Sequence, residues 1–165
     1  MNELIAILDD EKDIVNLITI NIKKNNFNSI EFYTGTDLIK YLNGKNRKPD
    51  VLILDLMLPD MDGFEICKIL KADNETKKIP IIMLTAKQDE TDKCIGLEIG
   101  ADDYVTKPFS PKELVARIKV IIRRETNNSQ ESSDFILIKG HLRIDKQKHK
   151  VYTIDNNEID LTLTE

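Results

Sequence analysis

Val51-Leu52-Ile53-Leu54-Asp55-Leu56-Met57-Leu58-Pro59-Asp60-Met61-Asp62-Gly63 is the stretch on which the fold turns. Its first four residues are apolar without interruption, as in a strand covered on both faces. An acidic residue follows at once, then a loop punctuated by Pro59-Asp60 and Asp62-Gly63. From Gly63 to Lys71 the apolar positions fall at helical spacing. The unit therefore reads strand, acidic end, loop, helix.

The same unit repeats on both sides of it. Leu4 to Leu8 predicts a buried strand ending in Asp9-Asp10-Glu11, followed by a helix over about 13–25 carrying Ile14, Leu17, Ile18 and Ile22. Ser29 to Tyr33 predicts a second strand, and Thr36 to Asn43 a short helix closed by Gly44. Ile81 to Leu84 is a fourth strand ending at Thr85, with a helix over about 90–99 stopped by Gly100. Asp103 to Val105 is a short fifth strand, followed by Lys107-Pro108. Ser110, Pro111 and Glu113 suit the N-cap, first position and capping box of a fifth helix, with Leu114, Ile118, Ile121 and Ile122 on its apolar stripe. Strict alternation of this kind predicts an α/β fold, a five-stranded parallel doubly wound sheet with helices on both faces. Right-handed crossovers make the chain wind outward in two directions from its first strand. A ligand site is then expected beyond the carboxyl ends of the strands, where the strand order reverses.

Composition narrows the function classes. The 165 residues are 41% hydrophobic and 32% charged, ordinary for a soluble domain. No apolar run is long enough to cross a bilayer, and the N-terminus lacks the basic start and apolar core of a signal peptide, so a cytoplasmic protein without a membrane partner is expected. Cys67 and Cys94 lie far apart with no metal-ligand spacing, and His141 and His149 stand away from every acidic cluster. Residues 1–124 hold 19 basic and 21 acidic side chains, and residues 125–165 hold 5 and 8. Neither part has the basic excess expected of a chain that binds phosphate backbones by itself.

The parallel topology brings Asp9-Asp10-Glu11, Asp55, Thr85 and Lys107 to one edge of the sheet. Three carboxylates from two neighbouring strands repel one another unless a counter-ion intervenes, and a hard divalent cation such as Mg2+ meets that need. Lys107 and the Thr85 hydroxyl add a cation and a donor beside Asp55. The set suits phosphoryl transfer to Asp55 as an in-line carboxylate nucleophile. A phosphatase with an aspartyl nucleophile would need a second acidic residue two positions on, where Met57 stands. A flavin carrier would need a Ser/Thr/Gly-rich phosphate loop where Asp9-Asp10-Glu11 stands.

Four blocks now carry a family resemblance: Leu8-Asp9-Asp10-Glu11, the Asp55 to Gly63 segment, Leu84-Thr85-Ala86, and Gly100-Ala101-Asp102-Asp103-Tyr104-Val105-Thr106-Lys107-Pro108-Phe109. In order and spacing they resemble the signature blocks of bacterial two-component response-regulator receivers, over about residues 3 to 124. The resemblance implies a flavodoxin-like receiver domain at 1–124 with Asp55 as phospho-acceptor, supplied by the histidine of a sensor histidine kinase. It implies Mg2+ held by Asp10 and Asp55, by the backbone carbonyl of Met57, and by Asp9 through water. Thr85 and Tyr104 would form the switch pair, Lys107 would pair with the phosphoryl group, and the Lys107–Pro108 bond would be cis. No enzyme activity is implied beyond self-phosphorylation and self-dephosphorylation.

The remainder resembles the OmpR/PhoB subfamily. Lys93, Glu98, Asp102, Asp103, Glu113, Arg117 and Lys119 would lie on the face formed by the fourth helix, fifth strand and fifth helix, through which phosphorylated receivers of that subfamily dimerise. There Lys93 would meet Glu113, Asp103 would meet Arg117, and Glu98 would meet Lys119 of a second chain. Residues 125–134 read as a polar linker, with no apolar side chain from Thr126 to Ser133. Strands at about 135–138, 142–144, 151–154 and 158–161 then predict a short antiparallel segment. In the subfamily this is the β platform of a winged-helix DNA-binding domain, 135–165 here, with Thr162 capping the next helix. The sequence stops at Glu165, before a recognition helix, so DNA binding is expected only of a full-length form. A truncated regulator and a stand-alone receiver acting through protein contacts both remain open.

Overall fold

The computed structural model describes residues 2–86 and 100–134, and beyond them four strand segments. The chain divides into two compact units, Met1–Ile122 and Arg123–Glu165. The first unit contains β1 (Leu4–Leu8), α1 (Lys12–Lys24), β2 (Asn28–Phe32), α2 (Gly35–Asn43), β3 (Val51–Asp55), α3 (Gly63–Ala72), β4 (Ile81–Ala86) and β5 (Asp103–Lys107). It also holds the start of α4 (Pro111–Asp134), the helix that the sequence predicts fifth. The helix predicted over 90–99, with Lys93, Cys94 and Glu98, lies outside the described residues.

All five strands are parallel, in the order β2-β1-β3-β4-β5. The order reverses between β1 and β3, and side chains alternate across this two-sided sheet. Ala6, Leu8, Leu52 and Leu54 join Leu38 and Leu42 of α2 and Ile66, Cys67 and Leu70 of α3. Ile5, Ile7, Val51 and Ile53 join Val15, Ile18 and Ile22 of α1 and Leu114, Ile118 and Ile121 of α4. Each large side chain buried in this way contributes about 1.5–3 kcal/mol. Because β1 and β3 are covered on both sides, their acidic ends are held by a rigid core.

Local chemistry sets the helix ends. Thr34 Oγ1 accepts from Asp37 N at the start of α2, and the Asp62 carboxylate accepts from Phe64 N at the start of α3. Lys23 and Lys24 occupy the last turn of α1, where cations suit the helix dipole. Gly100 has φ +101°, a conformation that side chains rarely adopt. Glu113, placed by sequence to complete a capping box, accepts hydrogen bonds from Arg117 one turn further on, at 3.1 and 2.8 Å.

One boundary differs from the sequence reading. α4 continues to Asp134, through the stretch that reads as a polar linker. No Gly or Pro lies between Lys112 and Asp134, so nothing in the covalent chain stops the helix. In the second unit β6 (Ile136–Lys139), β7 (Leu142–Asp145), β8 (Lys150–Thr153) and β9 (Glu158–Ile159) pair antiparallel in sequence order. Thr162 and the Asn156-Asn157 turn lie outside the described residues.

Candidate functional site

The register brings the acidic ends of β1 and β3 together, since Leu8 lies beside Leu54. Asp55 pairs in register with Leu84 of β4, and Ala86 with Lys107 of β5. Asp9 is fully buried, Asp55 is 5% exposed, and Asp10 is open to solvent. One carboxylate oxygen from each of the three lies within 4.8 Å of the others.

Lys107 reaches into this group from the end of β5. Its Nζ stands 2.8 Å from Asp9 Oδ2, 3.1 Å from Asp55 Oδ2 and 3.5 Å from Glu11 Oε1. The other oxygen of Asp9 accepts from the Glu11 backbone N–H at 2.9 Å. Asp9 thus anchors Lys107 more closely than Asp55 does, a task that its place in the sequence does not reveal. The Lys107–Pro108 peptide is cis, as the resemblance implies.

One ammonium shared among several carboxylates leaves the site short of positive charge. Burial pushes the Asp55 carboxyl above its ordinary range. Lys107 and the Met57 N–H pull it down, Asp9 pushes it further up, and the net direction is upward. Burial works against the Lys107 ammonium, but Asp9 and Asp55 outweigh that and raise its pKa. The donors are hard oxygens with an excess of negative charge, so the residues present fit a hard divalent cation such as Mg2+.

A cavity of about 340 Å3 opens onto Asp55, lined also by Asp10, Glu11, Met57, Thr85, Ala86 and Lys107. Met57 stands at 71% exposure on its rim. Thr85 is buried, and its hydroxyl donates to the Ala86 carbonyl at 3.1 Å. The Tyr104 ring is half-buried and packs against the core cluster on the α2 and α3 side of the sheet. The loop from Leu56 to Gly63 closes on itself, with Gly63 N donating to Leu56 O at 3.0 Å. A Cβ on Gly63 would stand 2.5 Å from Asp55 O and 2.7 Å from Leu56 Cα, so only glycine lets α3 start this close to the acceptor strand.

The charged face is described in part. Arg117 Nη1 pairs with Asp103 at 2.9 Å and Nη2 with Glu113 at 2.8 Å, both within the one chain. The Asp103–Arg117 contact expected between two chains therefore already exists inside one. Asp102 faces elsewhere, accepting from Lys71 Nζ at 3.0 Å and from Ile81 N at 2.9 Å. Lys119 donates to Asn25 Oδ1 at 2.7 Å. Lys93 and Glu98 lie outside the described residues. The Asp60 carboxylate binds the start of α2, a role that no local sequence pattern signals because its partners Gly35 and Thr36 lie far away in the chain.

Comparison with known proteins agrees with this geometry. Residues 5–119 match the response regulator receiver domain. The chain is 39% identical over 170 residues to the alkaline phosphatase synthesis transcriptional regulatory protein PhoP of Bacillus subtilis, covering 98% of this chain and 68% of that one. It is 40% identical over 162 residues to the DNA-binding response regulator MtrA of Mycolicibacterium smegmatis, covering 98% and 67%. The crystal structure of response regulator DrrB, a Thermotoga maritima OmpR/PhoB homolog, superposes with a TM-score of 0.67 at 33% identity, covering 98% of this chain and 68% of that one. The chain thus spans about two thirds of the length of these relatives. With the family's domain matched over its parallel sheet and these likenesses running nearly end to end, the chain belongs to the two-component response regulators of the OmpR/PhoB type.

Proposed function

We propose that this chain is a phosphorylation-switched signalling protein in which Asp55 accepts a phosphoryl group from the phosphohistidine of a sensor kinase. The observation that carries the reading is Asp55 itself, a nearly buried carboxylate that opens onto a cavity and has Lys107 Nζ 3.1 Å away. In the transfer an Asp55 oxygen forms a bond to phosphorus as the P–N bond to the kinase imidazole breaks, and the imidazole leaves with its electron pair. Lys107 lies where it can pair with the oxygens of the transferred group, and Asp9 holds Lys107 in place. Asp10, Asp55 and the Met57 carbonyl are the proposed Mg2+ ligands, with Asp9 behind them through water. Bound there, Mg2+ supplies positive charge to the carboxylates and to the phosphoryl oxygens.

Thr85 is the proposed sensor of the new group. Rotation of its hydroxyl away from Ala86 O would bring it to the phosphoryl oxygens, with Tyr104 following on the inner side. The consequence is a change in the face around β5 and the start of α4, which pairs with a second copy. Chemistry at the site is confined to gaining and losing the phosphoryl group, and no turnover of another substrate is proposed. A cytoplasmic location accords with this role; among the described residues no helix is long and apolar enough to cross a membrane. The names of PhoP and MtrA extend the reading to transcription, with DNA as the proposed partner of a form as long as those relatives.

Incubation with Mg2+ and acetyl phosphate tests the reading. Intact mass should rise by one phosphoryl group, in a form labile to base and to neutral hydroxylamine, and Asp55→Asn should abolish the gain. An unchanged gain in Asp55→Asn removes the assignment.

A further inference from the structure

The loop that follows Asp55 is fastened to a different part of the molecule, the N-terminus of α2. Asp60 Oδ1 accepts from Gly35 N at 3.0 Å, and its Oδ2 accepts from Thr36 N at 3.0 Å and from Thr36 Oγ1 at 2.9 Å. Both carboxylate oxygens are thus committed to one helix end, where backbone N–H groups and the helix dipole favour an anion. Packing reinforces the tie. A Cβ on Gly35 would stand 2.7 Å from Ile66 Cδ1 and 3.3 Å from Met61 Cβ, so the start of α2 lies directly against this loop and α3. Leu58 and Met61 pack against the core cluster on the same side.

What the loop carries makes the tie matter. Three residues before Asp60 is Met57, whose backbone N–H bears on the Asp55 carboxylate and whose side chain lines the cavity. At the other end Gly63 N is bonded to Leu56 O and allows no side chain. The loop is therefore fixed at Leu56 and Gly63, and Asp60 is the polar attachment at its outer turn. We propose that Asp60 is a positioning residue of the acceptor site: by fastening the 57–62 loop to α2 it holds the Met57 backbone in register with Asp55. The inference rests on the reading of Asp55 and Met57 given above.

Removing the attachment should loosen Met57 and weaken Mg2+ binding without dismantling the sheet. Thr34→Ala is the control, because Thr34 Oγ1 caps the same helix through Asp37 N and donates to the Asp37 carboxylate rather than to Asp60. Both variants should lose stability; a purely structural role would affect Mg2+ equally in both. Mg2+ affinity is measured by calorimetric titration on the full chain, beside acetyl phosphate labelling rates. Asp60→Ala should weaken Mg2+ about tenfold, the scale seen for groups that orient metal ligands, and slow labelling. Asp60→Asn, which keeps one acceptor oxygen, should fall between Asp60→Ala and the wild type. Thr34→Ala should bind Mg2+ like the wild type. An Asp60→Ala affinity equal to that of the wild type, or a loss matched by Thr34→Ala, overturns the proposal. A wild-type chain that neither binds Mg2+ nor takes the label would instead overturn the reading of the site.

Discussion

Asp55 is held in a state that the folded protein disfavours when no cation is present. Its carboxyl is raised above the ordinary 3.8 because burial and Asp9 together outweigh Lys107 and the Met57 N–H. A raised carboxyl pKa means that the folded chain binds this proton more tightly than the unfolded one. The stability it contributes is present at low pH and is lost as pH rises from the ordinary value through the raised one. Asp55→Asn should therefore raise Tm by a few degrees at neutral pH in Mg2+-free buffer, and Mg2+ should raise the wild type more than the variant. Calorimetric scans check this; a lower Tm in Asp55→Asn would mean that the Lys107 attraction dominates. The sequence made the participants legible, because acidic residues directly after apolar strands stand out. It did not show which carboxylate Lys107 favours, since that depends on side-chain paths across 98 residues of separation.

At the scale of elements, the strand-loop-helix unit around Asp55 depends on Gly63. Its missing side chain lets α3 begin against the backbone of Asp55 and Leu56, and there is no flexible side chain in the way that could yield. Gly63→Ala should cost about 1–3 kcal/mol, the range for forcing an extra methyl into a packed site. The expected measurement is a lower urea midpoint with an unchanged slope, and an unchanged midpoint would show that the loop adapts freely. Strands and helices were legible because fully apolar runs such as Val51 to Leu54 and 3.6-residue stripes such as Leu114, Ile118 and Ile121 leave few alternatives. The end of α4 was not. Polar residues without Gly or Pro are compatible with a linker and with a helix alike, and the structure takes the helix to Asp134.

For the whole molecule, the proposed switch requires that a change at Asp55 alter how two copies meet. Arg117 is bonded to Asp103 and Glu113 of its own chain, so a dimer through this face must exchange such pairs or build on them. Exposed pairs contribute little each, which makes the balance easy for one phosphoryl group to shift. With Mg2+ and beryllofluoride, sedimentation velocity should move from monomer toward dimer, and added salt should reduce the shift. A monomer unchanged by the mimic would remove the interface claim. All of this presupposes that the phosphoryl group goes to Asp55. Borohydride reduces an aspartyl phosphate to homoserine, so peptide mapping after treatment with acetyl phosphate and Mg2+ locates the modified residue directly. Homoserine is expected at position 55 alone, and only when both phosphodonor and Mg2+ are supplied. Homoserine at position 9 or 10, or none at position 55 in a chain that has gained the phosphoryl mass, would contradict it.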